Sequence, residues 1–168
     1  MKKFFAAILC FVFIYSFSAL PAFAEASKNP ENQIIMADES NDWVIVNDED
    51  GIYAIRFFTK DNLPVTPRYV STQLYAGNRS LSTNVYSSLC TKPSRSGVFN
   101  NEEVVELWNG GDDQGNGAVT FKVGSSTVAI DSNTGAQIKV KQKASYAISA
   151  TANWYNGTYY LSVTNYHY

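Results

Sequence analysis

Histidine is nearly absent from this chain: its 168 residues hold one, His167, second from the end. A Ser-His-Asp or Cys-His catalytic set would have to rest on that terminal ring. A histidine-rich zinc site cannot be assembled from it either. His167 reads instead as an exposed residue of the last strand. Cysteine is just as scarce. Cys10 lies in the apolar N-terminal run, and Cys90 stands alone in the rest of the chain. One remaining cysteine excludes an internal disulfide framework, and Cys90 fits the part of a small buried hydrophobe. A phosphate-cradling glycine loop is missing too, because Gly110, Gly111, Gly115 and Gly117 match neither nucleotide fingerprint. There is no basic excess, so nucleic acid is not an expected partner.

What is present begins with an export signal. Lys2 and Lys3 form a positive end, Phe4 to Leu20 is largely apolar, and Ala22-Phe23-Ala24 has the A-x-A form of a cleavage site. Residues 1–24 are therefore expected to be removed and the product secreted to the extracellular side. Beyond that run, no stretch is long and apolar enough to span a bilayer as a helix. The remaining 144 residues keep all 15 acids and 11 of the 13 bases, a net charge near −4. That length suits one domain with a real core. Residues 25–41 are polar and acidic and read as a flexible leader. Residues 42–168 form the expected domain.

The domain is organised around Ala136 to Tyr168. Ala136, Ile138, Val140, Ala144, Tyr146, Ile148, Ala150, Ala152 and Trp154 alternate with Gln137, Lys139, Lys141, Lys143, Ser145 and other largely polar residues. This is the period of a half-buried strand. Twenty residues exceed one ordinary strand, so a bend near 142–145 should carry the chain around a corner between two sheets. Asn156-Gly157 then signals a type I′ hairpin. In that register Trp154, Leu161 and Val163 share a core face, while Tyr155, Tyr160, Tyr166 and Tyr168 face outward.

Earlier segments also read as strands. Trp43 to Val46 and Ile52 to Phe58 flank an acidic loop. Tyr69 to Tyr75 and Leu81 to Leu89 flank a turn at Gly77-Asn78. Residues 98–108 favour strand over a short helix because of the Val104-Val105 pair. Ala118 to Val123 and Ser126 to Ile130 flank Gly124-Ser125, a type II′ turn signal that sets Phe121 against Val128 and Val119 against Ile130. Pro64, Pro67 and Pro93 mark loops. About nine to eleven short strands and no convincing long helix specify an all-β, antiparallel β-sandwich or barrel-like single domain.

Function is expected to be non-enzymatic. The leading expectation is a secreted module that binds an extracellular glycan, wall polymer or protein. It would use the outward Tyr155, Tyr160 and Tyr166 with Asn153, Lys139 and Lys141, whose rings stack on apolar sugar faces while amides and ammonium groups meet polar ones. A secreted effector or toxin-like protein is the alternative. A small carboxylate-dependent hydrolase is the third reading, drawing on Glu102, Glu103 and Glu106 beside Trp108. No cofactor is implied. Calcium is the one metal with suitable ligands, gathered as Asp48 and Asp50 on one glycine-bearing loop and Asp112 and Asp113 on another.

Overall fold

The structure, a computed structural model, describes residues 34–35, 43–45, 54–64, 70–96, 102–112 and 114–167. The described chain is all-β and forms two sheets. Eleven strands run in order: β1 (Ile34–Ile35), β2 (Val44–Ile45), β3 (Ala54–Thr59), β4 (Val70–Leu81), β5 (Ser87–Lys92), β6 (Glu102–Asp112), β7 (Val119–Val123), β8 (Ser126–Ile130), β9 (Thr134–Lys141), β10 (Tyr146–Ala152) and β11 (Gly157–His167). One sheet has the order β1-β8-β7-β10-β5, the other β2-β3-β9-β6-β11-β4. Pairing is antiparallel except between β1 and β8. Among the described residues no helix is long and apolar enough to cross a membrane.

The sandwich follows from period-two patterning on both sheets. Phe121, Val123, Val128, Ile130 and Ile148 of the smaller sheet are fully buried, as are Ile55, Val105, Leu107, Ile138, Leu161 and Val163 of the larger. Each such side chain stabilises the fold by about 1.5–3 kcal/mol relative to exposure. Cys90 packs at the margin of this core, where burial pushes its thiol up to about 11, so it stays protonated and inert near neutrality. The β7–β8 hairpin has the register read from its turn, Val119 opposite Ile130 and Phe121 opposite Val128. Gly124 supplies the positive φ, 61°, that such a turn needs at its first position. The long alternating stretch does turn a corner at 142–145: β9 belongs to the larger sheet and β10 to the smaller. Residues 102–108 are strand.

Two turn readings are corrected. Gly77-Asn78 is not a turn: β4 runs straight through it, pairing Gly77 with Leu161 and Asn78 with Tyr160. The reversal comes later, at 82–85, where Asn84 adopts φ 64°. Nor does Asn156-Gly157 close a hairpin. β10 pairs with β7 and β5, whereas β11 pairs with β6 and β4, so residues 153–156 cross from one sheet to the other. Neither Asn156 nor Gly157 takes the positive φ of a type I′ turn. Asn156 instead accepts a 2.9 Å bond from the Thr83 N–H through Oδ1. The crossing places Trp154 at 77% exposure, not in the core, while Tyr159, Leu161 and Val163 are fully buried.

Candidate functional site

The outer face of the six-stranded sheet carries the chemistry. Strand register lays its outward side chains in rows. One row joins Phe58, Gly135, Trp108, Ser162 and Ala76 across β3, β9, β6, β11 and β4. Phe58 and Trp108 stack with centroids 5.8 Å apart and planes 25° apart. They close over Gly135, where a Cβ would stand 2.4 Å from Phe58 Cζ. The glycine is therefore a requirement of space. Phe58 is almost wholly covered although it faces outward.

The next row is polar. Arg56 donates to Gln137 Oε1 through Nε at 2.9 Å and Nη2 at 2.6 Å. Gln137 Nε2 passes the chain on to Glu106 Oε2 at 2.7 Å. Tyr166 O–H closes it on Glu106 Oε1 at 3.3 Å. Burial first, and then the Glu106 charge, push the Tyr166 phenol up to about 12. Burial lowers the Arg56 guanidinium and Glu106 opposes that shift. Trp43 flanks the row, with Arg56 and Lys139 over its ring at 4.6 and 4.8 Å from the centroid.

A groove of about 370 Å³ opens on this face, lined by Phe58, Lys60, Leu63, Glu106, Trp108, Asn133 and Ser162. It offers an aromatic floor, one cation, one carboxylate, an amide and a hydroxyl. Leu63 is 63% exposed at its rim. Such a mixture suits a ligand with both apolar faces and hydroxyl edges.

The residues expected to form one tyrosine platform are divided by the crossing between sheets. Tyr160 and Tyr166 lie on the outer face of β11, and Lys139 and Lys141 on the outer face of β9. Tyr160 rests over the backbone of Gly110, one step along β11 from Ser162 of the groove. Asn153 follows the smaller sheet, where its Oδ1 accepts from the Thr120 hydroxyl at 2.7 Å. Tyr155 occupies the crossing and donates its hydroxyl to Asp112. That bond pushes the phenol up to about 12 and lowers the Asp112 carboxyl.

Asp112 also accepts from the N–H groups of Gln114 at 3.1 Å and Asn116 at 2.6 Å, which makes it the anchor of its own turn. Asp48, Asp50 and Asp113 lie outside the described residues. Among the described residues no group of three or more metal-ligating side chains occurs. The three glutamates separate as well. Glu103 turns into the core, whereas Glu102 and Glu106 face outward four residues apart, about 13 Å along the strand. His167 is half-buried, not exposed, because Arg95 Nη1 donates to its Nε2 at 2.6 Å.

Sequence reasoning missed Trp108, Phe58 and the Arg56–Gln137 pair as site residues. Parity against buried Leu107 and Ala136 was the signal available for Trp108 and Gln137. No family model, curated protein or solved structure matches the chain.

Proposed function

We propose that this protein is an exported, non-enzymatic binding module that holds an extracellular glycan or wall polymer on the outer face of its six-stranded sheet. The observation that carries the reading is Trp108, laid on Phe58 at the floor of a groove whose other walls are mostly polar. A sugar ring can stack on the indole while Glu106, Asn133, Ser162 and Lys60 meet its hydroxyls. The groove lining contains one carboxylate, which supports binding over hydrolysis, since glycoside cleavage uses two acids roughly 5–10 Å apart. Export rests on the pattern of residues 1–24. The test is retention of the protein on purified cell walls and a panel of polysaccharides. The parent should be retained and Trp108→Ala, with an unchanged circular dichroism spectrum, should be released. Equal retention of both proteins would remove the groove from the reading. Retention on proteins and on no polysaccharide would move the partner to that class.

A further inference from the structure

Between the two sheets lies a buried cluster of unlike character. Lys92 ends β5 in the smaller sheet; Glu103 and Asn165 face it from adjacent strands β6 and β11 of the larger. All three are buried, at 0%, 1% and 0% exposure. One carboxylate oxygen joins them. Glu103 Oε2 lies 2.9 Å from Lys92 Nζ and accepts from Asn165 Nδ2 at 3.0 Å. Lys92 Nζ also donates to the carbonyls of Lys141, Gln142 and Ala144 at 3.0, 2.9 and 3.1 Å. Four acceptors therefore share three hydrogens. Glu103 Oε1 and Asn165 Oδ1 are buried with no hydrogen-bond donor, although Arg95 Nε approaches Oε1 at 3.8 Å. Burying such oxygens without donors is costly.

The geometry points to an internal amide crosslink between Lys92 and Asn165, formed by the chain itself with Glu103 as the catalytic residue. An amine, a carboxamide and a carboxylate that touches both nitrogens are the components of an amide exchange. Lys92 Nζ gives a proton to Glu103 Oε2, and its freed lone pair adds to Asn165 Cγ. The same oxygen then returns a proton to Nδ2, which leaves as ammonia when the Cγ–Nδ2 bond breaks. Nζ begins with three hydrogens and ends with one. Of the other two, one departs in the ammonia and one remains on Glu103, so mass and charge balance without oxidant or reductant. The proton left on Glu103 gives Asn165 Oδ1 the donor it lacks. The Arg95 guanidinium, 3.8 Å from Oε1, competes with Lys92 for the same carboxylate and works against the first transfer. Holding the groups together in a buried site acts in the other direction, replacing an encounter by a unimolecular step. Both nitrogens lie within 3.0 Å of the one shared oxygen, which sets the amine and the carboxamide side by side in the same buried cluster. The product would tie β5 of one sheet to β11 of the other.

The test is mass spectrometry of the folded, full-length protein after tryptic digestion. Peptides 80–95 and 144–168 carry the two residues. The parent should yield them as one joined species, lighter than their sum by one ammonia. Asn165→Asp should converge on the identical joined mass, because loss of water from a carboxyl gives the same amide. Glu103→Gln, shown folded by circular dichroism, should give two separate peptides of full mass. Separate full-mass peptides from the parent would overturn the crosslink. A joined species in Glu103→Gln would overturn the role of the carboxylate.

Discussion

Trp108 rests on Phe58 because the residue between them is Gly135. Three strands meet in this contact. β9 provides a gap, β3 fills it with a ring, and β6 lays a second ring on the first. An aromatic side chain pointing away from the core is thereby held in place by packing that is normally reserved for the interior. A recognition surface supported this way loses little side-chain entropy when a ligand docks.

Gly135→Ala tests the support directly. The new methyl would stand 2.4 Å from Phe58 Cζ and 2.8 Å from the Leu107 carbonyl oxygen. The ring can swing away, but the backbone oxygen is held in the β6–β9 ladder. A loss of about 1–3 kcal/mol in urea denaturation is expected, the usual range for overpacking, together with weaker ligand retention. Unchanged stability would mean that the strands are not so close.

The crossing between sheets gives a sharp contrast in stability. Trp154 is 77% exposed, so Trp154→Ala should shift the unfolding midpoint little, by less than about 0.5 kcal/mol as for other surface changes. Tyr159 is fully buried and donates its hydroxyl to the Tyr155 carbonyl at 3.0 Å. Tyr159→Ala should cost about 3–5 kcal/mol, the range for large aromatic truncations. The reverse order would restore the hairpin reading.

That contrast also marks what the sequence could and could not disclose. Alternation is local, so the buried faces of β7, β8, β9 and β10 and the corner at 142–145 were all legible in it. Which strand pairs with which is not local. Asn156-Gly157 has the composition of a tight hairpin, yet the chain uses it to change sheets, because Asn156 bonds the Thr83 backbone and β11 inserts between β6 and β4. Parity read through such a crossing fails: it puts Trp154 inside and groups Asn153 and Tyr155 with Tyr160 and Tyr166. The groove floor needs Phe58, Gly135 and Trp108 at one level, and only the register of three strands distant in sequence brings them there.

Alkaline titration should separate the tyrosines. Tyr155 and Tyr166 both ionise only near about 12, the first because it donates to Asp112 and the second because it is buried beside Glu106. A phenol raised in the folded state favours folding fully below its unfolded value, about 10. That contribution fades as pH rises through the folded value. Stability should therefore fall between about pH 10 and 12. Glu106→Gln should bring one tyrosinate transition downward, and removing Asp112 should do the same for another. Ultraviolet difference titration reads both. A Tyr166 transition at the same pH in Glu106→Gln would mean that its hydroxyl does not meet that carboxylate.

The final prediction maps binding onto the surface. If the ligand lies along the Trp108 row, loss of affinity should fall with distance from it. Trp108→Ala removes the stacking surface and should weaken binding by about tenfold or more, as for a central aromatic anchor. Tyr160 is exposed on the same strand face as Ser162, one step from the groove, so Tyr160→Ala should cost less. Tyr155 sits on the crossing, tied to Asp112, and Tyr155→Phe should bind like the parent. The polar row makes an independent demand. Gln137 is held by Arg56 on one side and presents its amide to Glu106 on the other, which leaves the Glu106 carboxylate fixed at the groove wall. Gln137→Leu frees that carboxylate without touching the lining, and should weaken binding while retaining the fold. Isothermal titration with the polysaccharide that retains the parent measures all four. Equal losses at Tyr155 and Trp108 would mean that the ligand does not follow this row, and an unaffected Gln137→Leu would detach the polar network from recognition.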